Sequence, residues 1–438
     1  MRLKAFYSRF FVLYLLLPFL PYFAAAQDTG LSLDDAVRLA LEYNLDLRKT
    51  EIDLAASGYS ERNLWSEIFP TISANGSTGF TSPFFSNGGS GADTNYSIGF
   101  GVSLGLNAGI PYAMMSIKLA HQGNILRYED ARNQLSIRIT KIFYALAAEQ
   151  NNLLLLEEVL NLAQRQYERS SVSFRNGLVG ELSLMQSRLA VENARFNFSA
   201  AGIAHNNNMT EFLAMLGMAQ DANVTLSGEI NIVRITADAE ELIREHLPSR
   251  PDIIRASQEI QRLEYAQRQS VLQNRAPSLS LSLDWNSSNF DPFADRLSGT
   301  ARVNIPIDPW IPGTSRAQTI RRANDSVEKA RLDLESAENS AKTQIRSLTA
   351  LLRNSWDSIS IARLGLETAQ RSYQLTEQGF QNGTVESLVL EDARNNMANA
   401  RQRLLQAELS YFNMILDLSA ALNTDWKNLI QTFGVQSE

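Results

Sequence analysis

The sequence predicts a mainly α-helical protein built twice on one plan, with a membrane-type β part set into the same place in each half. Three observations predict this class. Residues 173 to 195, SFRNGLVGELSLMQSRLAVENAR, return as GFQNGTVESLVLEDARNNMANAR at residues 379 to 401, and Tyr167 matches Tyr373 at an offset of 206 (373 − 167). Solenoid repeats run to about 20 to 50 residues, so a copy of this length is a whole structural half. Two long stretches, 112 to 175 and 314 to 381, carry apolar residues at coiled-coil spacing and contain no proline. In both halves the apolar period changes from 3.6 to 2 after a stopping proline, Pro70 or Pro277.

Residues 1 to 26 carry Arg2, Lys4 and Arg9 ahead of an apolar run from Phe10 to Phe23 and end in Ala24-Ala25-Ala26. That is the pattern of a secretory signal peptide, with the exported chain starting near Gln27. A membrane anchor is the alternative, but Pro18 and Pro21 interrupt the run, which is shorter than the roughly 20 apolar residues of a spanning helix. No later stretch reaches that length, so any membrane-spanning part must be a β-barrel, the other structure that satisfies its backbone in lipid.

The first repeat runs over 27–220. Ser32 or Asp34 caps a mainly helical stretch from 31 to 69, in which Leu33, Ala36, Val37, Ala40 and Leu41 keep helical spacing. A β-hairpin follows over 71–107, clearest where Tyr96, Ile98, Phe100, Val102, Leu104 and Leu106 alternate with Ser97, Gly99, Gly101, Ser103 and Gly105. Next come the long helix, a tip turn over 175–182 and a helix over 183–220. Residues 221–237 read as a linker with one short strand, because Gly228 and β-branched residues break the helical pattern.

The second repeat, 238–422, has the same order. Pro248 and Pro251 split its first helix, since proline cannot donate the helical hydrogen bond. Its hairpin spans 278–307: Leu279, Leu281, Leu283 and Trp285 alternate with polar residues, and so do Leu297, Val303, Ile305 and Ile307. Its long helix leads to a tip turn over 381–387 and a helix over 386–422, and the tail 423–438 packs beside the linker.

Loops SPFFSNGGSGADTN and NSSNFDPFADR join the paired strands, and Phe84, Phe85, Tyr96, Trp285, Phe290 and Phe293 rim them, as in outer-membrane barrels. A soluble sandwich with aromatic loops is the alternative. The predicted lipid face is Phe100, Val102 and Leu104 in one hairpin with Leu281, Leu283, Val303 and Ile305 in the other. At about 1.5 Å per residue each long helix reaches roughly 95 to 100 Å, and two shorter helices stacked end to end match it in length. Such proportions fit a cylinder wall better than a globule.

Composition excludes several function classes. The chain has no cysteine, so no disulfide, no cysteine nucleophile and no lipid carried on cysteine is available. Net charge is −7, and −10 once the three cations of residues 1 to 26 are removed, which argues against a nucleic-acid partner. His121, His205 and His246 lie far apart without a catalytic motif, and GADTNYSIGFG precedes a strand rather than linking strand to helix, so neither an enzyme nor a nucleotide cofactor is expected. No metal site is expected either.

The order of elements, the duplication and the two turns FRNGLV and FQNGTV resemble the TolC-like outer-membrane efflux family over the whole exported chain. LSLDDAVRLALEYNLDL looks like the family's opening, and ELIREHLPSRPDI holds its Arg-Pro-Asp. The resemblance implies a homotrimer in the outer membrane with a twelve-stranded barrel and a periplasmic α-helical tunnel. It also implies a passive exit duct for a tripartite efflux or type I secretion system, working with a periplasmic adaptor and an inner-membrane pump.

By the same resemblance, Asn176, Gly177 and Leu178 form one adaptor-docking tip and Asn382, Gly383 and Thr384 the other. Gly and Asn accept the left-handed backbone that reverses a chain between helices, so an ordinary helix C-cap is the plainer reading. Asp392 in LVLEDAR aligns with an acidic gate, whereas Val389 stands where the family has a second aspartate. Glu391 supplies charge one residue away, which on a helix is a turn of about 100°. A solvated surface charge is the alternative for Asp392, although Leu388, Val389, Asn395 and Asn396 give it no basic neighbour. The competing function is a secreted coiled-coil scaffold or adhesin without a pore, which leaves the four strands unexplained.

Overall fold

Asn44 divides the first predicted helix in two. Its backbone leaves the helical region, and its side-chain oxygen accepts hydrogen bonds from Asp46 N–H (3.0 Å) and Leu47 N–H (3.1 Å), so it ends one helix and caps the next. The computed structural model describes residues 29–81, 93–222, 224–228, 232–288, 295–382 and 384–435. The predicted signal peptide, Phe84, Phe85, Phe290, Phe293 and Gly383 lie outside the described residues.

Strand β1 (Thr29–Leu31) leads into α1 (Leu33–Tyr43), which Ser32 caps by accepting from Asp35 N–H. Helix α2 (Leu45–Arg62) and a 3-10 turn (Leu64–Ile68) reach Pro70. The mainly helical stretch expected over 31 to 69 is thus three helical pieces, the first break falling where the Asn44 cap competes successfully with helix continuation. Strands β2 (Thr71–Thr81) and β3 (Asp93–Leu106) form the first hairpin. Helix α3 (Ile110–Arg175) runs 66 residues and α4 (Glu181–Met215) returns 35.

The linker holds two short strands where one was expected, β4 (Val224–Leu226) and β5 (Arg234–Ile235). In the second half α5 (Ala239–His246) breaks at Pro248, and α6 (Pro251–Arg275) begins on Pro251, where the missing N–H costs nothing. Strands β6 (Ser278–Ser288) and β7 (Arg296–Asn304) precede α7 (Ser315–Gln381), which runs 67 residues. Helix α8 (Ser387–Leu422), α9 (Trp426–Phe433) and β8 (Gly434–Val435) close the chain. Ile305 and Ile307, expected in the last strand, lie beyond it. Pro306 stands between them and has no N–H for the ladder.

β2, β3, β6 and β7 form one antiparallel sheet in that order, joining the two hairpins at β3–β6. The small strands seal the middle of the molecule: β1 pairs in parallel with β4, and β5 pairs with the tail strand β8. The helices lie side by side, with α3 against α2, α4, α6 and α8, and with α7 against α6 and α8. The stacked helices fall short of the expected match, since α4 (35 residues) with α2 (18) is shorter than α3 (66).

Two buried clusters hold the middle, and they repeat the sequence offset. Ile139, Leu146, Phe212 and Leu216 in the first stand 206 residues before Ile345, Leu352, Leu418 and Leu422 in the second. Trp426 packs against both and meets Phe412 edge to face at 5.3 Å. Tyr411 donates its hydroxyl to Val233 O (3.0 Å) and accepts from Ile235 N–H (2.9 Å), which satisfies buried backbone beside β5. Among the described residues no helix is long and apolar enough to cross a membrane.

Candidate functional site

The four-stranded sheet has two chemically distinct faces because side chains alternate along each strand. Register pairs Val102 with Ile72 and Leu283, Leu104 with Leu281, Leu281 with Ala301, and Leu279 with Val303. Phe100 stacks on Trp285 across the central pair (5.7 Å, 27°). Phe100, Val102, Leu281, Leu283 and Val303 are all exposed on one apolar face of the sheet, whereas Ile305, expected on the same face, lies beyond the end of β7. Leu104 shares that face and is partly covered.

The opposite face is small and polar. Rows of Thr71, Ser103, Ser282 and Thr300, then of Ser73, Gly101, Asp284 and Ser298, cross all four strands. Gly99 and Gly101 are essential to this surface. A Cβ on Gly99 would fall 2.3 Å from Asn286 Oδ1, and one on Gly101 2.8 Å from Asp284 Oδ1, so polar side chains of both neighbours fold over β3. Strands β2 and β7 each have an edge with no partner among the described residues.

At about 1.5 Å per residue, α3 and α7 carry the two turns about 100 Å from the sheet. In the first turn Asn176 ends α3 and Gly177 takes φ +72°. Gly177 N–H then donates to Phe174 O, and Leu178 N–H to Ser173 O (both 2.9 Å). This is a Schellman closure, and it projects Leu178 into solvent at 74 % exposure. In the second turn Asn382 ends α7 and Thr384 N–H donates to Gly379 O (2.9 Å), the bond equivalent to Leu178–Ser173. Thr384 adds a hydroxyl bond to the same carbonyl, whereas the first turn has an apolar side chain there.

Asp392 lies in the second turn of α8, exposed and without an ion pair to any described residue. Glu391 turns away from it and is half-buried. Burial pushes its carboxyl above the usual range, Arg394 draws it down, and Asp392 pushes it up again. Of the two acids, only Asp392 faces open solvent. Arg394 carries a buried Nε without a hydrogen-bond partner, a feature the sequence did not signal. The equivalents of Glu391 and Asp392 in the first half are Met185 and Gln186, so the acidic pair belongs to one half only.

His121 and His205 hold neighbouring helices together through hydrogen bonds. His121 Nδ1 lies 2.9 Å from Ser57 Oγ, and Glu61 lies 3.7 Å from Nε2, which superficially resembles a catalytic set. Ser57, however, donates its single hydroxyl proton to Leu54 O (2.8 Å), so the imidazole N–H is the donor to Oγ. That polarity is opposite to nucleophile activation. His205 ties Glu149 across the α3–α4 seam in the same manner (3.3 Å).

The flanks of the helical wall are apolar and uncovered. Leu45, Ile52 and Tyr59 recur every seventh residue along α2 at 71, 68 and 67 % exposure. Leu182, Met185, Leu189, Phe196 and Ile203 continue such a stripe on α4, and Ile361, Leu364 and Leu375 stand exposed on α7. Sevenfold spacing of this kind is the pattern of a coiled-coil seam.

Comparison with known proteins matches these features to one family. The sequence profile of the family described as outer membrane efflux protein matches twice, at residues 36–217 and 242–424, again 206 apart (242 − 36). The probable efflux pump outer membrane protein TtgC of Pseudomonas putida is 24 % identical over 416 residues, covering 90 % of this chain and 83 % of that protein. The antibiotic efflux pump outer membrane protein ArpC of the same species matches to the same extent. Among solved structures, the Campylobacter jejuni CmeC outer membrane channel superposes with a TM-score of 0.73 at 19 % identity, over 91 % of this chain and 88 % of that one. VceC of Vibrio cholerae gives 0.68 at 15 %, over 90 % and 96 %.

Proposed function

The chain belongs to the outer membrane efflux protein family, and from that premise we infer that three copies close into a channel serving as the exit duct of a tripartite efflux or type I secretion system. The observation that carries this reading is the isolated sheet: four strands, two unpaired edges and one uncovered apolar face. Such a sheet is unstable in water and cannot close alone. Three sheets joined β7 to β2 give twelve strands without an edge, turn the apolar face to lipid and line the lumen with the polar one. The uncovered stripes of α2, α4 and α7 are the helical part of the same seams.

Transport through it is passive. The tips around Asn176, Gly177 and Leu178 and around Asn382, Gly383 and Thr384 dock a periplasmic adaptor, and the inner-membrane pump supplies energy. Asp392 narrows the closed tip as a threefold acidic ring, a geometry that holds cations and resists anions. Glu391 supports it from behind, more readily protonated than an ordinary carboxylate. The scaffold or adhesin reading gains nothing from the family match and leaves the apolar sheet face without purpose.

Extraction of the full chain from outer membranes in mild detergent tests this. A trimer by mass, converted to monomer on heating, is expected. A water-soluble monomer, absent from the membrane fraction, would contradict the channel.

A further inference from the structure

The polar face of the sheet carries three charges whose side chains are described, and they are unevenly placed. Arg296 on β7 stands opposite Asn286 on β6, two residues from Asp284, which at about 3.3 Å per residue puts a carboxylate roughly 7 Å away along the strand. Arg302, nearer the helices, stands opposite Ser280, and Ser280 stands opposite Gly105. Asp284 is four residues from Ser280, roughly 13 Å along the strand, which exceeds the screening length of about 8 Å in physiological salt. Asp308, the next acid along the chain, is taken by Arg316 (3.0 Å). Arg302 is exposed and has no carboxylate within 4 Å among the described residues, and a Cβ on Gly105 would meet nothing within 4 Å. The guanidinium thus has open space beside it.

We propose that Arg302 is a specificity-determining residue of the pore: three copies form a cationic collar where barrel meets helical tunnel, favouring solutes that carry carboxylate, sulfonate or phosphate groups. This rests on the reading that the sheet closes with its polar face inward. An unpaired guanidinium offers a planar fork of donors to such groups, and at a water-filled wall its charge concentrates anions and repels cations. The acidic tip and the basic collar then select in opposite senses at the two ends of the tunnel.

The chain has no cysteine, so Ser280→Cys creates a single thiol facing Arg302 across the strand pair. The full-length protein in outer-membrane vesicles would be treated with sulfonatoethyl and trimethylammonioethyl methanethiosulfonates, and the ratio of the two labelling rates measured. Arg302→Gln should lower the anionic-to-cationic ratio roughly fivefold to tenfold. The labelling is run at about 0.01 M ionic strength, where the screening length is roughly 30 Å and a unit charge about 7 Å away in water changes each ion's local concentration roughly two- to threefold, in opposite directions. Arg302→Lys should keep the ratio, and Arg302→Glu should drive it further down. An unchanged ratio in Arg302→Gln, with the thiol labelled normally, overturns the collar and leaves the channel standing. A thiol that neither water-soluble reagent reaches, but a lipophilic maleimide labels, puts this face in lipid and overturns both.

Discussion

Asn44 in the first half and Arg250 in the second occupy the same place, 206 residues apart, and each reaches the last turn of its own half's returning helix. Asn44 Nδ2 donates to Met215 O at 3.5 Å, and Arg250 Nη1 donates to Ala421 O at 2.8 Å, carbonyls that are themselves 206 apart. The following acids differ as well. Asp46 is exposed and pairs with Lys49, whereas Asp252 receives the Arg250 guanidinium bidentately at 3.0 and 2.7 Å. Burial pushes Asp252 up, but the Arg250 hydrogen bonds and charge and the Ile253 N–H outweigh it and leave the carboxyl below the usual range. The same architectural contact is thus a weak amide cap in one half and, in the other, an ion pair between a buried arginine and a partly exposed aspartate.

A second pair repeats the lesson. Gly217 (φ +70°) ends α4 and Asn423 (φ 52°) ends α8, both left-handed. A Cβ on Gly217 would fall 2.5 Å from Tyr43 Cβ, while Ser249 occupies the position equivalent to Tyr43. Both halves keep the left-handed helix end, with glycine where Tyr43 crowds it and asparagine in the other half.

The largest expected difference between the halves comes from removing these contacts. Arg250→Ala leaves the Ala421 carbonyl without its donor and Asp252, 39 % exposed, to water, and should cost about 2 kcal/mol. Asn44→Ala should cost only about 1 kcal/mol, the value of an N-cap. Denaturant unfolding of both variants tests the ranking, and equal losses would erase the distinction.

The sheet offers a place where the halves should agree. Val102 and Leu283 face each other across the central pair, so Val102→Arg and Leu283→Arg should each cost about 2 to 4 kcal/mol at a mid-bilayer lipid face. Full trimer yield and insertion from either variant would contradict the face assignment.

Gly217→Asn should cost about 2 kcal/mol because its Cβ would meet the Tyr43 Cβ; adding Tyr43→Gly, which removes that atom, should recover part of the loss, whereas Tyr43→Ser, which keeps it, should not. A Gly217→Asn, Tyr43→Gly double variant as unstable as Gly217→Asn alone would contradict the Cβ contact as the cause.

The smallest effect is in pH. A depressed carboxyl contributes stability above its unfolded pKa and loses it as pH falls through the lower folded one. Acid unfolding of Asp252→Asn should therefore be shallower than wild type below the ordinary carboxylate range. At the tip the sign reverses. Raised Glu391 weakens the folded state as pH climbs from the unfolded value through the folded one, so Glu391→Gln should stabilise the protein at neutral pH and change nothing below pH about 4.

Much of this architecture is legible in sequence because it follows from periodicity. The hairpins, the helices α3 and α7 with no proline beyond the first turn, and the break at Pro248 and Pro251 each have a local cause in the residues. What escapes sequence is competition and distance. Asn44 reads equally as a helix residue and as a cap, and only the fold decides for the cap, which splits the 31 to 69 stretch. Pro306 ends β7 one residue before Ile305, although the apolar alternation continues to Ile307. The second linker strand, β5, exists because the tail strand β8 comes from 200 residues (435 − 235) away to pair with it. At the tips, the motif Asn-Gly identifies the turns, but the half-burial of Glu391 and the unpartnered Arg394 Nε depend on helix rotation that the motif does not encode.

The central claim is a threefold pore closed by an acidic ring present in only one half of the repeat. Single-channel conductance of the purified trimer in planar bilayers, wild type beside Asp392→Ala, tests it most directly. A small cation-selective conductance in wild type that rises or loses selectivity in Asp392→Ala is the expected result. A conducting trimer whose conductance and ion preference are the same in both would contradict the acidic ring, and a well-folded trimer that conducts in neither form, nor in a third variant with both tip turns deleted, would contradict the pore.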